Sequence, residues 1–504
     1  MNRGMAATSR YLIALACAIG LLLPQPGLAA RRDKGLEARL REHIETLAND
    51  DFGGREPGTD GEAKTLRYLG KQWFDMGLVS GTNNPGSEWF SPVTLVAREP
   101  AVSVAQFARR GQKVILSASE ALMLTSGKRS LVRDAPVLFA GTGTGPLPGR
   151  SELAGRVVLL LDGTGDAAAD KGAQGDRQSA LLAAGASAVI TVLDGDRTLE
   201  SVAARRVRSG YALASESLGG DLEGFLAPAA LDRVLHGTGL ALAGLKAEAA
   251  QPGFVPRLLP VLATLEATTR ETTIRSHNLI GKIPGRRPDA GAVLFLAHWD
   301  HFGICAEEPA EDLICNGAID NASGLATLTE IAGKLLRGPQ PDRDIFFLAT
   351  TAEELGLLGA HAFAENPPVP LSGIVAAFNI DSNALAPAGT PFGIVGEGMT
   401  ALDPTIEAVA KKTRRRIVKG GRANDYVRRQ DGWALLQHDV PAVLVSTAYG
   451  DVGRVEAFFD GVYHRPEDGI SGKLELGGAA DDVAFLADLG RWFGDLKKVP
   501  VPLK

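Results

Sequence analysis

From residue 277 onward the chain repeats one pattern that few folds accommodate. Short runs that are apolar at nearly every position alternate with helical segments. "HNLIGKI", "AVLFLAH", "DIFFLAT", "GIVAAFN" and "PAVLVS" are too short for helices and show no polar/apolar alternation. A strand that is apolar on both faces must be covered on both faces. The interleaved helices, among them "NASGLATLTEIAGKLL", "DPTIEAVAKKTRRR" and the final "GAADDVAFLADLGRWFGDL", provide that cover. The expected fold class is therefore α/β, with a mixed, mostly parallel central sheet flanked by helices.

The polar residues that close these strands define the second constraint. His298, Trp299, Asp300 and His301 follow the run 293–297, Glu353 and Glu354 follow 345–349, and Asp381 follows 374–379. Asp320 stands just before a helix in "GAIDNASG", and His464 lies in the loop "GVYHRPED". In open α/β sheets the carboxyl ends of the strands share one edge, where ligands bind. Two imidazoles and several carboxylates gathered there would repel one another without a counter-charge. Divalent zinc removes that conflict, and a carboxylate between two ions can bridge them. In the adjacent pair Glu353 and Glu354, one side chain can ligate while the other moves a proton.

At 504 residues the chain is longer than one core usually organises, so a second unit is expected. Residues 130–250 have a different texture, rich in Ala, Gly and Val, with "GRVVLLLDG" as a strand and "DRQSALLAAGASAVITVLDG" as helix, turn and strand. Residues 36–80 read as two helices separated by the Gly/Pro loop "DFGGREPGT", and 85–125 as short strands and turns. The net charge of −6 gives no sign of a nucleic-acid partner. At the N-terminus Arg3 and Arg10 precede the apolar run "YLIALACAIGLLL", and small residues follow. This is the pattern of a cleaved export signal. The run is 13 residues long, short of the roughly 20 that span a bilayer, so no stable membrane insertion is expected after cleavage. Cys305 and Cys315 then remain, and in an exported protein a disulfide between them is expected. The alternative is a zinc–thiolate pair, although CxxC spacing is absent.

The ordered motifs "HWDHFG", "NGAIDNASG", "TAEELGLLGAHAF", "NIDS" and "YHRPED", preceded by "LANDDFGGREPGTDGEAKTLRYL", resemble peptidase family M28, in its exported bacterial branch with a protease-associated insert. That resemblance implies a zinc exopeptidase fold with an inserted β-rich protease-associated (PA) domain. The expected divisions are a signal peptide at 1–30, an N-terminal part of the peptidase domain at 31–125, the insert at 126–252 and the zinc peptidase domain at 253–504. It implies two Zn2+ ions, with His298 and Asp381 on one, Glu354 and His464 on the other, and Asp320 bridging. Glu353 would be the general base, Asp300 would orient the His298 imidazole, and Tyr463 would face the developing oxyanion. The bond between Asp320 and Asn321 is typically cis in this family. Arg428 and Arg429 approach the segment that lies near the site in relatives and are candidate substrate contacts. The chain departs from the family at Trp299, where tyrosine is more frequent, and near 430, where "QDGWAL" replaces "SDHYPF". The implied function is an exported dizinc aminopeptidase, periplasmic or secreted, acting on peptides. The alternatives are an inactive receptor-like module, a carboxypeptidase and a relative of the glutaminyl cyclases.

Overall fold

The structure, a computed structural model, describes residues 33 and 35–500 apart from 86–87, 144–146, 163–169, 195–196, 209, 217–218, 421 and 471–472; for 170–176 and 205–208 it describes the backbone alone. The expected signal peptide, residues 1–30 with Cys17, lies outside the described residues.

The apolar runs form the centre of the sheet. Strands Ala442–Ser446, Ile374–Asn379, Ala292–His298 and Asp344–Thr350 lie side by side and parallel, and every residue in each is buried. Successive side chains point to opposite faces and both faces are covered, so the interior positions are apolar and the polar residues stand at the strand ends. Val293, Phe295 and Ala297 face one core, together with Phe347 and Phe378, while Leu294 and Leu296 face another, with Phe346 and Leu348. Across the first face Phe295 stacks on Phe347 and Phe378, with ring centres 5.7 and 5.3 Å apart. Helices Leu36–Leu47, Gly324–Leu336 and Leu476–Phe493 bury their apolar sides on the same core. Among the described residues no helix is long and apolar enough to cross a membrane.

The segment 85–125 departs from the expected short strands and turns. Phe90–Arg109 is one strand of 20 residues, paired along nearly its whole length with Arg257–Ile283, a strand of 27 residues. Arg257–Ile283 alternates over Leu259 to Ala267, but neither strand keeps one pattern along its length, because each serves two cores in turn. The C-terminal part of Arg257–Ile283 pairs with Asp344–Thr350 in the central sheet, and its N-terminal part pairs with Arg129–Phe139. The sheet thus continues into a second lobe, where Arg129–Phe139, Val157–Leu161, Ala188–Val192 and Leu222–Leu226 run parallel. This lobe has its own core, which draws on Ala105 and Phe107 before residue 126 and on Leu259 to Ala267 after 252.

Candidate functional site

The ends of three parallel strands bring the predicted residues together. His298 is the last residue of its strand, and Glu353 and Asp381 follow closely on theirs. Asp320 sits on the buried turn Ala318–Ser323 that opens helix Gly324–Leu336, and His464 follows helix Val452–Gly461. Asp320 is central. Its Oδ1 lies 3.2 Å from His298 Nε2 and its Oδ2 lies 3.4 Å from His464 Nε2. Asp381 Oδ1 is 3.6 Å from His298 Nε2, and Glu354 Oε2 is 3.0 Å from His464 Nε2. Each half of the site is thus one imidazole, one carboxylate of its own and one oxygen of Asp320.

These residues fit metal ions. The Nε2 atoms of His298 and His464 are buried, and neither has a hydrogen-bond partner despite the nearby carboxylates. Such atoms face a common point rather than each other. Two groups of potential ligands share Asp320: His298, Asp320 and Asp381, and His301, Asp320 and Glu354; a third comprises His298, Glu353 and Glu354. Imidazole with carboxylate is a donor set suited to zinc. His301 Nδ1 donates to Glu354 Oε1 at 2.6 Å, and its Nε2 is also buried without a partner. His464 Nε2 reaches carboxylates on both sides, Asp320 and Glu354.

Backbone and side-chain supports fix these groups. Glu353 and Glu354 donate their backbone N–H groups to the two oxygens of Asp300, at 3.0 and 3.3 Å. The Asp300 carboxylate therefore holds the glutamate pair, whereas His298 Nδ1 lies 3.1 Å from the Asp300 carbonyl oxygen and 3.8 Å from the carboxylate. Sequence reasoning assigned that carboxylate to the imidazole alone. Asp468 accepts the N–H groups of Ile319 and Asp320 at 2.9 and 3.0 Å and so pins the central turn. Asn321 closes the turn by donating to the Ile380 carbonyl at 3.0 Å, next to Asp381. The peptide bond between Asp320 and Asn321 is cis. Ala352, Ser382 and His464 take left-handed backbone conformations, an arrangement that costs energy outside glycine and clusters at functional sites.

The fully buried Arg55 gives the acidic site a nearby cation. It donates to the carbonyls of Leu47, Trp299, Asn316 and Gly317. Two of these flank the metal-site turns, so Arg55 ties the end of the His298 strand to the approach to Asp320. Burial lowers its pKa to about 10, although Asp320, Asp300, Asp468 and Glu354 act in the opposite direction. The close approach behind it explains two glycines. A Cβ on Gly54 would lie 2.4 Å from the Cys315 oxygen, and one on Gly317 would lie 1.9 Å from the Asp320 oxygen. Cys315 is joined to Cys305 in a disulfide that closes the neighbouring hairpin.

The adjacent glutamates have opposite electrostatics. Burial pushes the Glu353 pKa well above the usual carboxylate range, and Glu354, Asp431 and Asp381 add to this against His298. For Glu354, burial and Asp320 also act upward, but His301 and His464 outweigh them and hold it below its ordinary value. Asp320 is likewise held well below, because His298 and His464 overcome the effect of burial.

Asp320, Glu353 and Asp381 line a small pocket together with Tyr426, Arg429, Tyr449 and Tyr463. Tyr463 stacks on His464, with ring centres 3.6 Å apart. The two candidate arginines separate here. Arg429 lines the pocket, whereas Arg428 lies over the Trp433 ring at 5.2 Å and is not part of the lining. Arg55, Asp431 and Asp468 also touch the site or its supports and had no assigned contact from sequence. The only signal for Arg55 and Asp468 was their place in the quoted segments "GGREPGT" and "YHRPED".

Residues 278–481 match the model of peptidase family M28, and the span contains every candidate ligand. Over 103 residues the chain is 31% identical to a vacuolar membrane protease of Lachancea thermotolerans, a match covering 20% of this chain and 10% of that protein. It thus spans a tenth of the length of the curated relatives it matches. An aminopeptidase from Aneurinibacillus sp. strain AM-1 shares the fold with a TM-score of 0.53 at 18% identity, covering 91% of this chain and 93% of that one. That likeness extends over both lobes. A zinc aminopeptidase from Bacillus subtilis aligns with a TM-score of 0.47 at 17% identity, over 93% of this chain and 97% of that one.

Proposed function

We propose that the protein is a zinc-dependent peptidase, specifically an aminopeptidase with two zinc ions. His298 and Asp381 would hold one ion, Glu354 and His464 the other, and Asp320 both. When bound, zinc supplies Lewis acidity toward a peptide carbonyl and toward water. Glu353 takes the proton of the attacking water on its carboxylate and later returns it to the leaving amine. Asp300 fixes the backbone that aims it. Tyr463, whose pKa burial pushes well above its usual value, stays a neutral phenol able to donate to the developing oxyanion.

The unequal treatment of the two adjacent glutamates carries this reading. Glu354 is engaged by His301 and His464. Glu353 lines the pocket, and its side chain has no hydrogen-bond partner among the described residues. Neighbouring carboxylates pushed in opposite directions mark a ligand and a proton carrier. The same reading takes residues 1–30 as an export signal, 126–252 as a protease-associated module and the mature protein as periplasmic or secreted.

The test is a mixed peptide library, half of it N-acetylated, incubated with the zinc-loaded protein and followed by mass spectrometry with and without chelator. Loss of single N-terminal residues from the free peptides alone, abolished by chelator, is the expected result. Trimming of acetylated peptides from the other end would replace aminopeptidase by carboxypeptidase, and absence of any cleavage would sink the peptidase reading.

A further inference from the structure

The proposed reaction makes no use of the charge on Arg429. Its guanidinium carbon lies 4.5 Å from the ring centre of Phe459 and 5.4 Å from that of Tyr463, so two aromatic faces hold it in place. Among the described residues no carboxylate stands within ion-pair distance of it. Arg422, on the same short segment, pairs with Glu456, and Arg415 pairs with Asp488 at 2.7 Å. Arg429 instead lines the pocket that Asp320, Glu353 and Asp381 also line.

The distance to the site is short. Arg429 packs on Tyr463, Tyr463 stacks on His464, and His464 Nε2 is 3.0 Å from Glu354. Arg429 also lines the same small pocket as Asp320, Glu353 and Asp381, so a substrate group that meets it while a peptide bond sits among the carboxylates belongs to a residue next to the scissile bond. The aromatic walls accept methylenes, and the guanidinium accepts an anionic end in a fork geometry that favours carboxylate.

From this we infer that Arg429 receives a carboxylate of the substrate within one residue of the scissile bond, an inference that rests on the peptidase reading above. Two sources share this chemistry: the side chain of an acidic terminal residue, and a free terminal α-carboxylate. Arg429 then sets selectivity for charge rather than carrying out the chemistry.

The experiment compares kcat/KM of the zinc-loaded protein on matched peptides. One pair differs only by Glu against Gln at the residue beside the scissile bond; the other differs only by a free against an amidated carboxyl end. Wild type should favour the charged member of one pair by roughly ten- to a hundredfold, the worth of a hydrogen bond to a charged group. Arg429→Gln should collapse that ratio toward one, and Arg429→Lys should keep part of it. The pair that responds identifies the source. A wild-type ratio near one in both pairs overturns the inference. So does an equal loss on both members in Arg429→Gln, which would mean that Arg429 acts only through Tyr463. Calorimetric titration of the zinc-loaded protein with L-glutamate, L-glutamine and L-glutamine amide reads the same contact without turnover. If no peptide is cleaved but glutamate or glutamine binding depends on Arg429, the peptidase reading fails and the carboxylate contact stands. Binding of all three that is unchanged in Arg429→Gln removes the contact, whatever the enzyme cleaves.

Discussion

The two lobes are built alike, and among the described residues only one carries a candidate metal site. Each has four parallel strands with connections that return to one edge, and all but Arg129–Phe139 are buried at almost every position. In the second lobe the strand Val157–Leu161 also ends in an acid, Asp162. That carboxylate is met by Arg197 through bonds of 2.9 and 3.1 Å. In the first lobe His298, Asp320, Glu353, Glu354 and Asp381 share one buried volume, and the nearest buried cation, Arg55, spends its donors on carbonyls instead. A parallel edge gathers whatever polar groups its strands end in. Negative charge left without a paired cation, with imidazole nitrogens aimed into it, is what makes an edge fit for metal.

Four substitutions would break or sharpen that contrast. The largest effect is expected for Glu353→Gln, which should leave zinc content unchanged yet lower turnover by about a thousandfold, within the usual contribution of general base catalysis. Near-normal turnover with full metal would remove Glu353 from the chemistry. Asp320→Asn should release metal from both halves, so elemental analysis should find less than the wild-type zinc content; full occupancy would argue against a shared ligand. Asp468→Asn touches only the support of the central turn, and zinc affinity by chelator competition should weaken roughly ten- to a hundredfold, as for other residues that hold ligands in place. An unchanged affinity would show that the turn keeps its shape without Asp468. The smallest effect should come from Asp162→Asn in the second lobe. It should lower stability by about 1 kcal/mol, because its partner Arg197 is partly solvated, and should alter neither zinc content nor turnover. Any loss of zinc there would mean that the lobes are coupled more tightly than the shared strands suggest.

Those shared strands also bear on how the lobes can be separated. A deletion of residues 126–252 would leave Ala105, Phe107 and Leu259 to Ala267 without the core they pack in. A cut across the paired strands Phe90–Arg109 and Arg257–Ile283, beyond the irregularity at Thr268 and Thr269, follows the packing more closely.

Much of the site was legible because its parts are local. A strand apolar at each position announces burial on both faces, and the polar residues at its end announce the edge. His298, Glu353, Glu354 and Asp381 could be placed in this way before any coordinates. Their supports could not. Asp300 holds residues 53 and 54 positions away, and Arg55 bonds a carbonyl 244 positions away. No periodicity reports such partners, because a donor's choice among buried acceptors is settled only when distant segments pack. The long strands Phe90–Arg109 and Arg257–Ile283 were hidden for the same reason, since each changes neighbours and buried face along its length. The sequence by itself determined the fold class, the apolar strands and the residues able to bind metal, through local pattern and side-chain chemistry. Only the tertiary structure decided which carboxylate oxygen faces which imidazole, which arginine enters the pocket and which remains outside, and where one lobe gives way to the other, because these depend on packing between segments far apart in the chain.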